Sequence, residues 1–228
     1  MPIEIAVTPA LVADSSVSSV STASFTRPEG GLLVAMVVAL SASTYTLSGG
    51  SLTWTQRVAN SADIWTAPVT GSGTMTVTVG NLTDPDFAVS VAAVKVVGVT
   101  GQSLLNPIGN SGSGESSTNN LTVSGYTSSA AGSRGFFCGL DSNAAGAATS
   151  TDTGSGWTEN VGFFDVAGVA VHKAANTTNA GTSVTFNADA SGSGEAAWEW
   201  AALEIVPDVV VRQRAALSRA AVHRAASW

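Results

Sequence analysis

The chain has 228 residues, a formal net charge of −7, 11% charged and 44% apolar side chains, and 24 glycines, a composition that gives a foldable core with many turns and excludes a disordered polyelectrolyte. A lone cysteine, Cys138, excludes an intramolecular disulfide and a Cys-based metal site. Five basic against fifteen acidic residues up to Pro207 exclude a nucleic-acid surface there, because phosphates bind clustered cations.

The opening MPIEIAVTP carries neither the positive n-region nor the apolar run of a signal peptide. Short Val/Thr/Trp/Phe runs bounded by Gly, Ser, Asn and Asp predict strands near 3–7, 31–40, 52–58, 62–67, 74–79 and 87–99, and again near 121–126, 134–140, 157–164, 168–174, 182–187 and 196–206. The most apolar of them, GLLVAMVVAL at 31–40, is shorter than the about 20 residues that cross a bilayer and reads as a fully buried strand. Segments 109–120 and 141–156 read as loops, and SGSGE at 111–115 and 191–195 as flexible turns. No helical periodicity precedes residue 209.

The order of elements repeats. SLTWTQRV (51–58) aligns with GSGWTENV (154–161), GTMTVTV (73–79) with GTSVTF (181–186), and FAVSVAAVKVVGV (87–99) with EAAWEWAALEIVP (195–207). Lys95 and Glu204 then hold equivalent places, either paired across a sheet or separately solvated. Together these patterns predict an all-β chain: one jelly-roll-like β-sandwich over 1–207, built from two similar halves at about 31–99 and 133–206, followed by a short C-terminal helical tail.

Raw material for catalysis is thin. His172 and His223 are the two histidines, which excludes a His-rich zinc site, and His172 aligns near Trp65 on a strand. There is no GxSxG elbow, Walker loop or helix-opening GxGxxG. Glu199 between Trp198 and Trp200 has the look of a glycosidase carboxylate, but strand alternation turns it away from both tryptophans and leaves them to the core. Asp84, Asp86, Asp141, Asp152 and Asp189 lack calcium-loop spacing and read as turn formers. Sequons at Asn81, Asn120 and Asn176 read as chance matches in a Thr-rich chain. The expectation is no catalytic residue, no cofactor and no metal.

The exception is VVVRQRAALSRAAVHRAASW, which holds four of the nine basic residues. Residues 212–226 contain no Gly or Pro and predict a helix with a thin stripe of Leu217, Ala221 and, beyond them, Trp228. So thin a stripe does not hold a helix alone, while Arg and Trp are anchor types at interfaces. Segment 208–228 therefore reads as a basic docking segment, with Arg212, Arg214, Leu217, Arg219, Arg224 and Trp228 contacting the acidic body of another copy or of a larger assembly.

SFTRPEGGLLVAMVVAL, SGGSLTWTQRV, IWTAP, GTMTVTV and WEWAALEIVP, with the Ala/Gly/Thr bias and Arg over Lys, resemble β-sandwich virion proteins of tailed bacteriophages, particularly those of actinobacteria, over roughly 24–207. The resemblance implies a non-enzymatic virion structural protein, assembled in the host cytoplasm. Its form would be a capsid decoration or minor capsid protein bound in multiple copies to the head surface. Its partners would be other virion proteins, the major capsid or tail protein, and copies of itself, with no nucleic acid and no membrane. The alternative is a minor tail protein or cell-surface adhesin whose β-sandwich binds carbohydrate through an exposed Trp or Tyr.

Overall fold

A computed structural model describes residues 3–8, 12–14, 18–39, 45–81, 87–96, 107–143, 146–161, 164–190 and 197–207, and every regular element among them is a β-strand. The first half runs through β1 (Ile3–Val7), β2 (Val12–Asp14), β3 (Ser19–Ser21), β4 (Phe25–Arg27), β5 (Leu32–Ala39), β6 (Thr46–Ser48), β7 (Thr55–Val58), β8 (Ala62–Pro68), β9 (Gly73–Met75), β10 (Thr78–Gly80) and β11 (Phe87–Val96). The second runs through β12 (Ile108–Ser116), β13 (Asn120–Thr127), β14 (Arg134–Asp141), β15 (Ala148–Thr149), β16 (Thr153–Val161), β17 (Phe164–His172), β18 (Ser183–Ala190) and β19 (Trp198–Ile205).

Both halves follow one antiparallel strand order. The large sheets are β1-β11-β5-β8-β7, with β2 also on β11, and β12-β19-β14-β17-β16; the small sheets are β3-β10-β6 and β13-β18-β15. A separate ribbon, β4-β9, belongs to the first half. The repeated order thus reaches back to β1 and β12, upstream of the aligned segments.

Alternation along the strands decides how these sheets stack. On β5, Leu32, Val34, Met36 and Val38 join Ile64 in one cluster with Phe136, Cys138, Leu140, Leu203 and Ile205 of the second large sheet. Leu33, Ala35 and Val37 point the other way, to Val20, Met75, Val77 and Val79. In the second half Phe137, Val169, Trp198 and Trp200 meet Leu121, Tyr126, Val184 and Phe186 of the small sheet. The two large sheets therefore lie face to face with a small sheet outside each, which makes four layers around three cores. A strand covered on both faces reads as a near-continuous apolar run, and this is the origin of GLLVAMVVAL.

The glycine-rich segment expected as a loop at 109–120 is instead largely β12, with Ser111–Ser116 in register against β19. Its glycines answer to close packing rather than to turning. A Cβ on Gly112 would collide with the carbonyl oxygen of Gly125 on β13, and one on Gly114 would sit 3.0 Å from the Trp200 indole. The start of β16 replaces the end of the second expected loop, and Gly156 there faces the carbonyl oxygen of Ala148 on β15. Gly112→Ala is expected to cost about 1–3 kcal/mol of unfolding free energy in a urea titration. Gly80→Ala is the control: its added Cβ would meet Thr46 Oγ1 at 3.8 Å, so stability should stay within about 0.5 kcal/mol of wild type.

Candidate functional site

Buried ionisable groups are the places where a β-rich chain can carry chemistry, and the first lies on β8. Ala62 and Ile64 face the central core, so Asp63 faces the opposite way, toward Tyr45 and Trp65. Tyr45 donates its hydroxyl to Asp63 Oδ2, Trp65 Nε1–H donates to Tyr45 Oη at 3.0 Å, and Asn60 N–H donates to Asp63 Oδ1 at 2.8 Å. Burial raises the Asp63 carboxyl above its ordinary value despite these bonds, and burial together with the Asp63 charge drives the Tyr45 phenol far up. The cluster holds the β7–β8 turn against the other half. Asn60 Nδ2 donates to Gly114 O at 3.4 Å, Ser61 N–H donates to Glu199 Oε2 at 3.3 Å, and Cys138 Sγ donates to the Asp63 carbonyl at 3.6 Å.

Glu204 is 0% exposed, which overturns the reading of a solvated charge. Its carboxylate accepts from Ser129 N–H at 2.9 Å, Ser129 Oγ at 2.7 Å and Asn110 N–H at 3.0 Å. Gly109 leaves the room: a Cβ there would run into the same carboxylate. Burial pushes the Glu204 carboxyl upward, but the bonds from Asn110 and Ser129 outweigh it and hold the group below its usual range. Lys95, aligned with Glu204, stands opposite Glu4 in the β1–β11 register; its side chain lies outside the described residues.

The residues singled out from sequence go to separate places. Trp198 and Trp200 are 1% and 9% exposed in the core beneath the small sheet, and Glu199 points away from them. It stands opposite Glu115 across the β12–β19 ladder, and the two line an open groove of about 510 Å³ with Ser116, Ser117 and Trp198. Two carboxylates are the raw material of glycoside hydrolysis, but the one aromatic at this groove is buried and offers a sugar no face. His172 is buried with Nδ1 3.0 Å from the Lys173 carbonyl oxygen, and burial, followed by the Arg134 charge, lowers its pKa. In register it faces Phe136, as Pro68 faces Leu32, so its counterpart is Pro68 and not Trp65. Asp141 Oδ1 accepts from Asn143 and Ala197 N–H at 3.0 and 2.9 Å, Asp152 pairs with Lys173 Nζ at 2.6 Å, and Asp189 stands beside Asn120. Among the described residues no three His, Cys, Asp or Glu side chains gather as metal ligands. Asp84, Asp86, His223 and the docking residues Arg212, Arg214, Leu217, Arg219, Arg224 and Trp228 lie outside the described residues.

No protein-family model, no curated protein and no solved structure matches the chain. The chemistry of the chain is therefore read from its own side chains. The Asp63 and Glu204 centres were not among the candidates drawn from sequence, although a signal exists: in ADIWTAP and WAALEIV a single acid interrupts an apolar strand, and a buried acid demands hydrogen-bond donors.

The two carboxylates govern stability in opposite directions of pH. Glu204 has a folded pKa below its unfolded value, so its contribution is present above the unfolded value and is lost as pH falls through the folded one. Asp63 has a raised folded pKa, so its contribution is present below the unfolded value and is lost as pH rises through the folded one. Glu204→Gln is expected to cost about 1–3 kcal/mol at neutral pH and to flatten the acid limb of the Tm curve. Asp63→Asn should instead remove the decline on the rising side, and calorimetric Tm values across the acidic and neutral range check both.

Proposed function

We propose that 1–207 is a jelly-roll-like β-sandwich of two similar halves, each with a jelly-roll strand order of its own, that 208–228 adds a short helical tail, and that the chain is a non-enzymatic virion structural protein of a tailed bacteriophage, carried in multiple copies on the head surface as a capsid decoration or minor capsid protein. The jelly-roll reading is supported by strand order. With the eight shared strands of a half counted in sequence, the large sheet runs 1-8-3-6-5 and the small sheet 2-7-4, which matches two interleaved Greek keys except that strand 5 joins the large sheet instead of the small one. Jelly rolls serve viral capsids and lectins alike, so the fold alone does not choose between them.

The structural role rests on how the buried acids are used. Asp63, Asp141 and Glu204 each accept hydrogen bonds from backbone N–H groups of turns or strand ends, the work of a scaffold. The virion assignment rests on the resemblance of sequence segments within roughly 24–207 to phage β-sandwich proteins. Opposite charge on body and tail, fifteen acids to five bases against one acid to four arginines, supports docking of the tail on a neighbouring copy or on the major capsid or tail protein. A minor tail protein or adhesin is the alternative reading. Of the Trp and Tyr residues whose side chains are described, Tyr126, Trp198 and Trp200 are buried, while Tyr45, Trp54 and Trp65 are half-buried against the first small-sheet core, so none stands fully exposed.

Purified particles provide the test. A tagged chain is expected to co-sediment with virions and to appear on the head in electron micrographs; absence from particles would overturn the virion reading. Truncation after Pro207 should lower copies per particle about tenfold or more, the effect of losing roughly 1.4 kcal/mol of contact. Wild-type occupancy of the truncated chain would remove the docking role from the tail.

A further inference from the structure

Both small sheets turn hydroxyls outward: Ser21 Oγ and Thr78 Oγ1 lie 2.7 Å apart on the first, Ser124 Oγ and Ser183 Oγ 2.7 Å apart on the second. Ser21 pairs with Thr78 as Ser124 pairs with Thr185, so Ser19–Gly80 corresponds to Thr122–Asn187. Beyond that point the halves part. β10 ends at Gly80, and Asn81 enters the left-handed region at φ 59°. β18 continues through Asp189, flanked by Asn120 on β13 and Thr149 on β15.

The continuation walls a cleft of about 280 Å³, with Asn120, Thr122, Thr149, Thr151, Asn187 and Asp189 in its lining. One side is rigid. Asn187 Oδ1 accepts from Thr151 N–H at 2.9 Å, Asn187 Nδ2 donates to Asp152 Oδ2 at 3.4 Å, Asp152 is paired with Lys173 at 2.6 Å, and Lys173 Nζ lies 4.9 Å over the Phe186 ring. On the other side the Asn120 amide, oriented by its bonding, donates to both Asp189 oxygens at 2.9 and 3.1 Å. The cleft then presents the Asn120 carbonyl, the remaining lone pairs of Asp189, and three threonine hydroxyls that both donate and accept.

That set suits a neutral polyol. Neighbouring ligand hydroxyls donate to the carboxylate and amide oxygens and accept from the threonines. Asp189 opposes an anion, and an apolar ligand would meet little, because Leu121 and Ala188 are 1% and 2% exposed beneath the floor. We propose that this cleft is a saccharide subsite that holds one neutral sugar ring edge-on, with Asp189 and Asn120 taking two adjacent hydroxyls. Without a ring to stack on, one site binds weakly, and linked copies raise the effective affinity. The inference is independent of the virion reading, since an isolated chain carries the whole cleft.

The test is an amide-resolved NMR titration of the isotope-labelled full chain in EDTA with glucose, galactose, mannose and N-acetylglucosamine, each to about 50 mM, high enough for a weak site. Saturable shifts at Asn120, Thr122, Asn187 and Asp189 are expected with at least one sugar. Asp189→Ala should weaken that binding about tenfold or more. Thr149→Trp, which fills the cleft from an exposed strand position, should abolish it, and Ser21→Ala on the other small sheet should leave it unchanged. Lack of any shift, or shifts that persist in both folded cleft variants, would overturn the proposal. So would shifts of the same residues with calcium chloride alone and none with sugar, which would make the cleft a cation site.

Discussion

Leu32, Val34, Met36 and Val38 on one side, and Phe136, Cys138, Leu140 and Leu203 on the other, close the space between the two large sheets. Because the small sheets cover the opposite faces of the same strands, the middle of neither large sheet meets water. Each fully buried Leu, Val or Phe contributes about 1.5–3 kcal/mol, and the central seam supplies such residues from both halves. A half taken alone would expose the whole inner face of its large sheet, an apolar patch of the kind that marks an interaction surface. The halves are therefore complementary parts of one stack, and the other constraints on the chain follow from that.

The first of these constraints is polar. The covered part of such a sheet has no water for a stray charge, so each buried acid on these strands needs donors within the protein. Asp63 finds Tyr45 and Asn60, and Glu204 finds Ser129 and Asn110. In each case the donors include a backbone N–H from a neighbouring turn or edge strand, so the acid fixes connections that would otherwise be held only at their ends. Asn60 and Ser61 in turn reach Gly114 and Glu199 across the seam. One buried carboxylate thereby contributes both to its own half and to the register between halves. The opposite pKa directions of Asp63 and Glu204 follow from the same balance: burial prevails at the first and hydrogen bonds at the second.

Much of this was legible from residue order. Runs such as GLLVAMVVAL and the alternation in WEWAALEIV fixed the long strands and the inward-facing tryptophans, since period and apolarity are local properties. The shared order of elements was visible for the same reason. What escaped notice depends on neighbours distant in sequence. SGSGES in β12 has the composition of a linker but lies in register against β19, with its glycines placed where Gly125 and Trp200 leave little room for a Cβ. Three-residue strands such as β3 and β6 are too short to show a period and are drawn into place by β10. Glu204 gave a weak signal as a lone acid in an apolar strand, but its partners lie 75 and 94 residues away. Asn120 and Asp189 each stand out in the sequence, as a sequon and as a turn former, but nothing there joins them until register sets them side by side.

The stacking also explains why the two outer faces can differ while the inner ones cannot. Every residue at the central seam is constrained by both halves at once, since a change on β5 or β14 must be matched across the interface. The outward faces of the small sheets carry no such obligation. Ser21 and Thr78 keep the hydroxyl pair that Ser124 and Ser183 echo, yet a few residues further the first half ends its strand at Gly80 and the second extends through Asp189. The extension costs the core nothing, because Val184, Phe186 and Ala188 continue the inward pattern on β18 beneath it. A surface that can be rebuilt without disturbing packing is where the two halves of such a scaffold are free to diverge.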